Sequence, residues 1–129
     1  MNKIIVEVSI GELLDKITIL EIKQEKIKDP EKLKFISNEH SILKDQLNNN
    51  IKTDDKLNKL FQSLKDINSK LWVIEDDKRQ CEKDKDFGEK FVKLSRDVHF
   101  LNDDRAKIKL EINNHTGSVI KEIKEYTNY

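Results

Sequence analysis

Two long apolar stripes constrain the fold of this chain more than any other feature of its sequence. Their residues recur at alternating steps of three and four, the spacing that keeps one face of an α-helix against a neighbouring helix. The first stripe contains Leu57, Leu60, Leu64, Ile67, Leu71 and Ile74, and the second contains Phe91, Leu94, Val98, Leu101, Ile108 and Ile112. The pattern predicts two coiled-coil-like helices that lie side by side and share one apolar seam.

The composition favours helices along the rest of the chain as well. Of the 129 residues, 39% are charged, and there are only three Gly and one Pro to interrupt a helix. A chain of this length forms one domain, residues 1–129. The 25 basic and 25 acidic residues cancel, which argues against nucleic acid or an anionic membrane as the main partner.

Helix-capping signals divide the chain into four main helices. Ser9 opens a capping box, and Asp29 stands before a proline, the arrangement of an N-cap followed by proline at the first helical position. Two further start signals lie at Thr53 or Asp54 and at residues 86–89. We expect helix 1 over about 10–28, helix 2 from 30 until the asparagines at 48–50, helix 3 to about 84 and helix 4 to about 114.

These lengths predict an all-α fold, an antiparallel bundle of four main helices. Short connections make sequential helices antiparallel neighbours. Helices 3 and 4, at about 30 residues or about 45 Å each, form a second hairpin that is longer than the first. The β-branched residues 4–8 are a candidate strand, and residues 119–126 fit either a short helix or a strand that would pair with them as a terminal β-ribbon.

Helix 1 is apolar on two sides. Leu14 and Ile17 belong to one stripe, while Ile19 and Ile22 point roughly the opposite way. A surface helix normally buries one stripe only, so helix 1 either lies centrally or meets the terminal segments or another subunit. The extra apolar surface predicts a homodimer.

Polar residues interrupt both long stripes at one level of the predicted hairpin. Arg105 occupies the position at which the spacing of the second stripe predicts an apolar residue, and Asn102 and Lys109 lie on the same face. In an antiparallel hairpin Asn68 falls level with about Asp104, so it should meet Asn102 and Arg105 on the seam. Glu75 comes within reach of Asn102 and of the long Arg105 side chain. A charge on a packing face is costly unless it is paired, so this level of the bundle is the candidate site.

Two interpretations of the site stay open, besides a third in which these residues simply face solvent. In the first, the polar residues form an internal network that fixes register and partner choice, as buried polar residues do in coiled coils. In the second, they line a pocket for a small anion or sugar phosphate. Mutual ion pairs would favour the first, and free volume beside the guanidinium the second. The ligand-binding candidates are Lys16, Glu75, Arg79, Asn102, Arg105 and Lys109, with Glu75 available as an acid or base.

The sequence contains no motif for metal or cofactor chemistry. Its three histidines and its single cysteine lie on no metal-type spacing, and no Gly-rich phosphate loop or nucleophile motif is present. We therefore expect no metal and no cofactor, and whether the protein is an enzyme stays open. The first residues lack the apolar core of a signal peptide, and no apolar run approaches the about 20 residues of a membrane span. With Cys81 as the sole cysteine, we expect a cytoplasmic protein.

Several segments also carry a resemblance. They are similar to segments of a family of small bacterial and marine-phage proteins. The segments are residues 9–20 (Ser-Ile-Gly-Glu-Leu-Leu-Asp-Lys-Ile-Thr-Ile-Leu), 71–76 (Leu-Trp-Val-Ile-Glu-Asp), 102–106 (Asn-Asp-Asp-Arg-Ala) and Gly117-Ser118 with the Tyr-containing tail that follows. That family is described only as a domain of unknown function, so the resemblance implies no activity. It implies that the matched motif positions are residues 12–16, Trp72, Glu75, Arg79, Asn102, Arg105 and residues 122–126.

Two functions of different classes follow. The first is a non-enzymatic protein-interaction or self-association module, with a second copy or an unidentified protein as its partner. The alternative is a protein or enzyme that binds an anionic small molecule in a polar site between helices. All-helical enzymes such as chorismate mutases hold anionic substrates in this way, but that likeness is one of architecture alone.

Overall fold

The protein is built from four helices, which a computed structural model describes over residues 2–129. They are α1 (Ile10–Lys26), α2 (Pro30–Asn50), α3 (Asp55–Asp84) and α4 (Glu89–Thr116). No strand occurs within those residues. The predicted all-α bundle is confirmed, and the α3–α4 hairpin, with helices of 30 and 28 residues, is longer than α1 and α2, with 17 and 21.

Side-chain caps begin three of the helices where the sequence predicts them. The side chains of Ser9, Asp29 and Asp54 each accept a backbone N–H of the first helical turn, at 2.8–3.1 Å. α1 ends at Lys26, two residues before the predicted end, because the next residue is already extended. The helix starts are therefore fixed by local hydrogen bonds that the sequence alone specifies.

The C-terminal segment forms neither of its two predicted structures, and the predicted terminal ribbon is wrong. Ser118 explains why: its hydroxyl accepts the backbone N–H of Ile10 at 3.1 Å and donates to the carbonyl of Ile120 at 2.7 Å. The segment after Ser118 then returns along α4, where Glu122 bonds Lys109. It therefore runs beside α4, and it forms no backbone hydrogen bond with residues 4–8.

α1 occupies the centre of the bundle and packs against all three other helices. The buried core contains residues from every helix: Leu14, Ile17, Leu47, Leu57, Leu64 and Ile112. Ile22, on the second apolar side of α1, is 1% exposed. The central position is thus confirmed, but the chain itself covers Ile22, so this residue no longer argues for a homodimer.

α1 is too short to cover the whole α3–α4 hairpin. We call the hairpin surface that contacts α1 the near face. In residues 76–100, around the hairpin turn, Cys81 alone is fully buried. The hairpin therefore continues beyond the four-helix part of the molecule as a two-helix projection. No helix of the described chain combines the length and the apolar character that crossing a membrane requires.

Candidate functional site

Asp15, on α1, is the residue to which polar side chains of the near face bond. Arg105 Nε donates to Asp15 Oδ1 at 2.9 Å, and Nη2 of the same guanidinium donates to Oδ2. Asn68 Nδ2 donates to Asp15 Oδ1 at 2.9 Å and to Thr18 Oγ1 at 2.8 Å. These four side chains, which we call the Asp15 network, join α1, α3 and α4 at one level.

The network satisfies its own polar groups. Thr18 donates its hydroxyl to the Asp15 carbonyl at 2.7 Å, and Arg105 Nη1 reaches Asn102 Oδ1 at 3.4 Å. Among the described residues, no buried side-chain nitrogen or oxygen lacks a hydrogen-bond partner. The prediction that Arg105 lies on the seam with Asn68 and Asn102 is confirmed. Mutual pairing is what a buried charge requires if it is to be retained.

The protonation states follow from this geometry. Burial raises the pKa of the Asp15 carboxyl, but the hydrogen bonds from Arg105 and Asn68 outweigh burial, so the pKa lies below its ordinary value. The hydrogen bond to Asp15 raises the pKa of Arg105. The pair is therefore fully charged at neutral pH, although Asp15 is 1% exposed.

Lys109 forms a second ionic cluster one turn away. Its ammonium donates to Glu12 at 2.7 Å and to Glu122 at 3.1 Å, and its side chain is 10% exposed. Burial lowers the pKa of Lys109, but the two carboxylate bonds outweigh burial and raise it overall. The cluster ties the start of α1 and the C-terminal segment to α4, and it leaves Lys109 committed to two internal partners.

Gly11 allows α1 to approach α4 closely enough for these contacts. A Cβ added at Gly11 would stand 2.6 Å from the Lys109 carbonyl oxygen and 2.9 Å from Asn113 Oδ1. The Gly11 N–H donates to that same Asn113 oxygen at 2.7 Å. Glycine at this position is therefore required by backbone-to-backbone packing.

A groove of about 470 Å³ lies beside the Asp15 network. Its apolar lining residues are Ile19, Ile22, Leu71 and Trp72, and its polar ones are Asn68, Glu75, Asp76, Arg79 and Arg105. We call this cavity the Trp72 groove. Its charged residues surround an apolar floor, and most of them lie on α3.

The charges on the rim of the Trp72 groove are largely paired within the chain. Arg79 Nη1 donates to Glu75 Oε2 at 3.2 Å, four residues away on the same helix. The predicted reach of Glu75 to Arg105 and Asn102 is wrong, because Asp15 holds the Arg105 guanidinium and Arg79 bonds Glu75. Asp76 forms no ion pair with any described residue.

The structure separates the six predicted site residues into groups. Glu75, Arg79 and Arg105 line the Trp72 groove. Asn102 contacts Arg105 without lining the groove, and Lys109 belongs to the Glu12–Glu122 cluster. Lys16 is exposed and lies outside the groove. The structure thus brings half of the predicted residues together, and they gather around Trp72.

The candidate site residues did not include Asp15, the central residue of the network, although the resemblance covers it within motif positions 12–16. A signal for it exists in the spacing of α1, where Gly11, Asp15, Thr18 and Ile22 recur at steps of four, three and four. This is a second helical face made of small, polar and apolar residues in one line. The predictions examined the α3–α4 seam for a partner and did not consider that α1 would supply it.

The fold and the groove define a class, a small all-α protein with an apolar groove rimmed by internally paired charges. The chain belongs to a family of unknown function (DUF6165), whose model matches residues 4–129. Comparison with curated proteins and comparison with solved structures each gave no significant match. The expected membership of a family of unknown function is therefore confirmed, and that membership brings no activity with it. Within the described residues, no group of three or more His, Cys, Asp or Glu is placed to hold a metal ion.

Proposed function

We propose that this protein is a non-enzymatic protein-interaction module that binds a partner polypeptide in the Trp72 groove. The observation that supports this proposal is the combination of an apolar floor with charges that already have partners in the same chain. Apolar contact surrounded by a polar rim is the usual anatomy of a protein–protein interface. Trp and Arg are also the residue types that contribute most to binding at such interfaces.

The charge balance of the groove indicates the chemistry of the partner. Asp15 neutralises Arg105, and Glu75 neutralises Arg79, so the remaining charge on the rim is that of Asp76. A segment that inserts an apolar side chain against Trp72 and presents a Lys or Arg to Asp76 complements this surface. We place this interaction in the cytoplasm, because the sole cysteine, Cys81, is a free thiol.

One observation favours the second candidate function, the binding of a small anion. The Arg79 side chain is 75% exposed and the Arg105 side chain is 28% exposed. Either could turn one N–H toward a phosphate or carboxylate. An anion in the groove would, however, meet the carboxylates of Glu75 and Asp76 as well, so we rank this function second.

The fluorescence of Trp72 tests the proposal, because it is the only tryptophan in the chain. A synthetic amphipathic peptide with Leu, Phe and Lys residues is titrated into the protein, and the same peptide with Glu in place of Lys serves as its counterpart. We expect a saturable change in Trp72 fluorescence with the basic peptide, weakened at least tenfold by Asp76→Lys. The control variant is Lys16→Glu, which changes an exposed charge outside the groove and should bind as the wild type does.

Three results would count against an interaction module of this kind. They are an unchanged signal with both peptides, an equal response to the acidic peptide, and a basic-peptide response that survives Asp76→Lys. A saturable response to inorganic phosphate that Arg79→Gln abolishes would support the anion-binding alternative instead.

A further inference from the structure

The α3–α4 hairpin carries a second apolar surface, which α1 and α2 do not cover. It includes Val73, Phe87, Val92 and Phe100, which are 49%, 55%, 52% and 37% exposed. Helical spacing places Val73 about 140° around α3 from Asn68, which bonds α1, and about 160° from Glu75, which lines the Trp72 groove. We call this surface the far face.

Two depressions make the far face continuous. One, of about 640 Å³, lies between the helices and is lined by residues that include Val73, Ile74, Phe100 and Leu101. The other, of about 610 Å³, follows α4 toward the turn past Phe87 and Val92. The two share Asp97 and Phe100. The apolar surface therefore extends from the middle of the hairpin to its turn.

The charges of the far face are of both signs. Lys93 and Asp97 pair at 2.8 Å, Arg96 lies 5.7 Å from the centre of the Phe100 ring, and Lys70 and Glu89 complete the border. A surface that contains both signs can complement itself across a twofold axis, since each basic group then meets an acidic group of the other copy. A nucleic acid or an acidic peptide would require a single sign.

We infer that the far face binds the far face of a second copy, so that two hairpins pair as an isologous dimer. Two antiparallel helices from each copy form a four-helix arrangement, in which each hairpin gains the cover that α1 and α2 supply elsewhere in the chain. This inference concerns the hairpin face opposite the Trp72 groove. It is therefore independent of the proposed function.

The size of the far face sets the expected strength of the dimer. Residues 69–84 span about 23 Å along α3, and two helices side by side are about 20 Å wide. Each copy can then bury about 500 Å², or about 1,000 Å² in total, which is at the lower limit for a specific interface. The dimer should accordingly dissociate on dilution to low micromolar concentration.

Sedimentation velocity over a concentration series tests the inference. The wild type should change from the monomer mass of 15.2 kDa at low concentration to twice that mass at high concentration. Val92→Asp and, separately, Val73→Asp should weaken dimerisation at least tenfold. Both side chains are about half exposed in the monomer, so we expect the monomer fold to tolerate the changes. Circular dichroism of each variant checks this. Val92→Gln provides a milder second variant.

Matched controls locate the interface. Ile42→Asp changes an equally exposed apolar residue on α2, and Asp76→Lys changes the Trp72 groove; both should dimerise as the wild type does. A wild type that stays monomeric at all concentrations would overturn the inference. So would a dimer that persists in both far-face variants, or one that Ile42→Asp disrupts equally. If the wild type dimerises but binds neither peptide, that result counts against the proposed function alone.

Discussion

The near and far faces of the α3–α4 hairpin both place an arginine beside apolar side chains, but the rest of the chain treats the two arginines differently. On the near face, Arg105 is held by two N–H bonds to the buried carboxylate of Asp15. On the far face, Arg96 lies over the Phe100 ring and forms no ion pair with a described residue. The difference shows that α1 supplies more than apolar cover. It also supplies the carboxylate that pairs with a partly buried guanidinium.

The same contrast holds for two ion pairs of identical chemistry. The Asp15–Arg105 pair joins two helices and is 2% and 28% exposed at its side chains, whereas the Glu75–Arg79 pair lies within α3 and is 43% and 75% exposed. Water can replace either partner of an exposed pair at little cost, but it cannot do so for Asp15. Burial therefore decides which pair determines the position of α1.

The largest expected effect comes from breaking the buried pair. Arg105→Leu leaves the Asp15 carboxylate buried without its main partner and should lower the free energy of unfolding by about 3 kcal/mol, the lower end of the range for such pairs because Arg105 is partly exposed. Arg79→Leu should cost less than about 1 kcal/mol. Urea unfolding of both variants measures the difference.

A double variant separates the cost of stranding Asp15 from the value of the pair. Arg105→Leu combined with Asp15→Asn should recover much of the lost stability, since no unpaired charge then remains buried. Equal losses for Arg105→Leu and Arg79→Leu would show that burial does not distinguish the two pairs as argued.

The next effect concerns Gly11, on α1 against α4, and Gly88, at the hairpin turn. Gly11→Ala should destabilise the protein by about 1–3 kcal/mol, because the added methyl group would overlap α4 backbone at the Lys109 carbonyl. Gly88→Ala is the matched change at the turn, where the nearest atom to the new Cβ is a side-chain oxygen 3.3 Å away. Thermal unfolding should show a clear decrease for the first variant only. A neutral Gly11→Ala would mean that α1 can move away from α4 without penalty.

The smallest effect is the pH dependence of the near face. The pKa of Asp15 is lower in the folded protein than its ordinary value, so the unfolded chain takes up the proton first as the pH falls. The stability that Asp15 contributes is thus complete above the ordinary pKa of about 4 and is lost as the pH falls through that value toward the folded one. As the pH falls from about 6 to about 3, the interval that includes that pKa, the free energy of unfolding of Asp15→Asn should decrease less than that of the wild type. Parallel curves for the two proteins would contradict this account.

The sequence predicted the local structure of this protein well and the partners of its polar residues incompletely. Caps at Ser9, Asp29 and Asp54 specified helix starts because each depends on atoms only a few residues apart. Arg105 was identified because a charge interrupts an apolar stripe. Its partner Asp15 was missed because it lies 90 residues away in the chain, and stripe spacing carries no information on which helix covers which face.

The terminal segments show the same limit. Residues 4–8 have strand-like composition, but a strand needs a partner, and the C-terminal segment is instead attached to α1 and α4 through Ser118 and Glu122. Composition describes what a segment can form, whereas the hydrogen bonds of Ser118 depend on the positions of two helices. The far face shows a different limit, because Val73, Val92 and Phe100 lie outside both stripes and the stripe pattern does not predict a second apolar surface.

The bonds that hold α1 also determine when this chain can complete its fold. α1 is synthesised first, yet its near-face partners Arg105, Asn113 and Ser118 follow 90 to 108 residues later. α2 follows α1 directly in the chain and can pack against it early, and α3 and α4 are joined by a short turn and can associate with each other. The bonds of α1 to α4 form only after residues 105–118 have been synthesised. The Asp15 carboxylate therefore lacks its guanidinium partner while α1 already packs against α2, and synthesis of residues 105–118 is the step that completes the hydrogen bonds of α1.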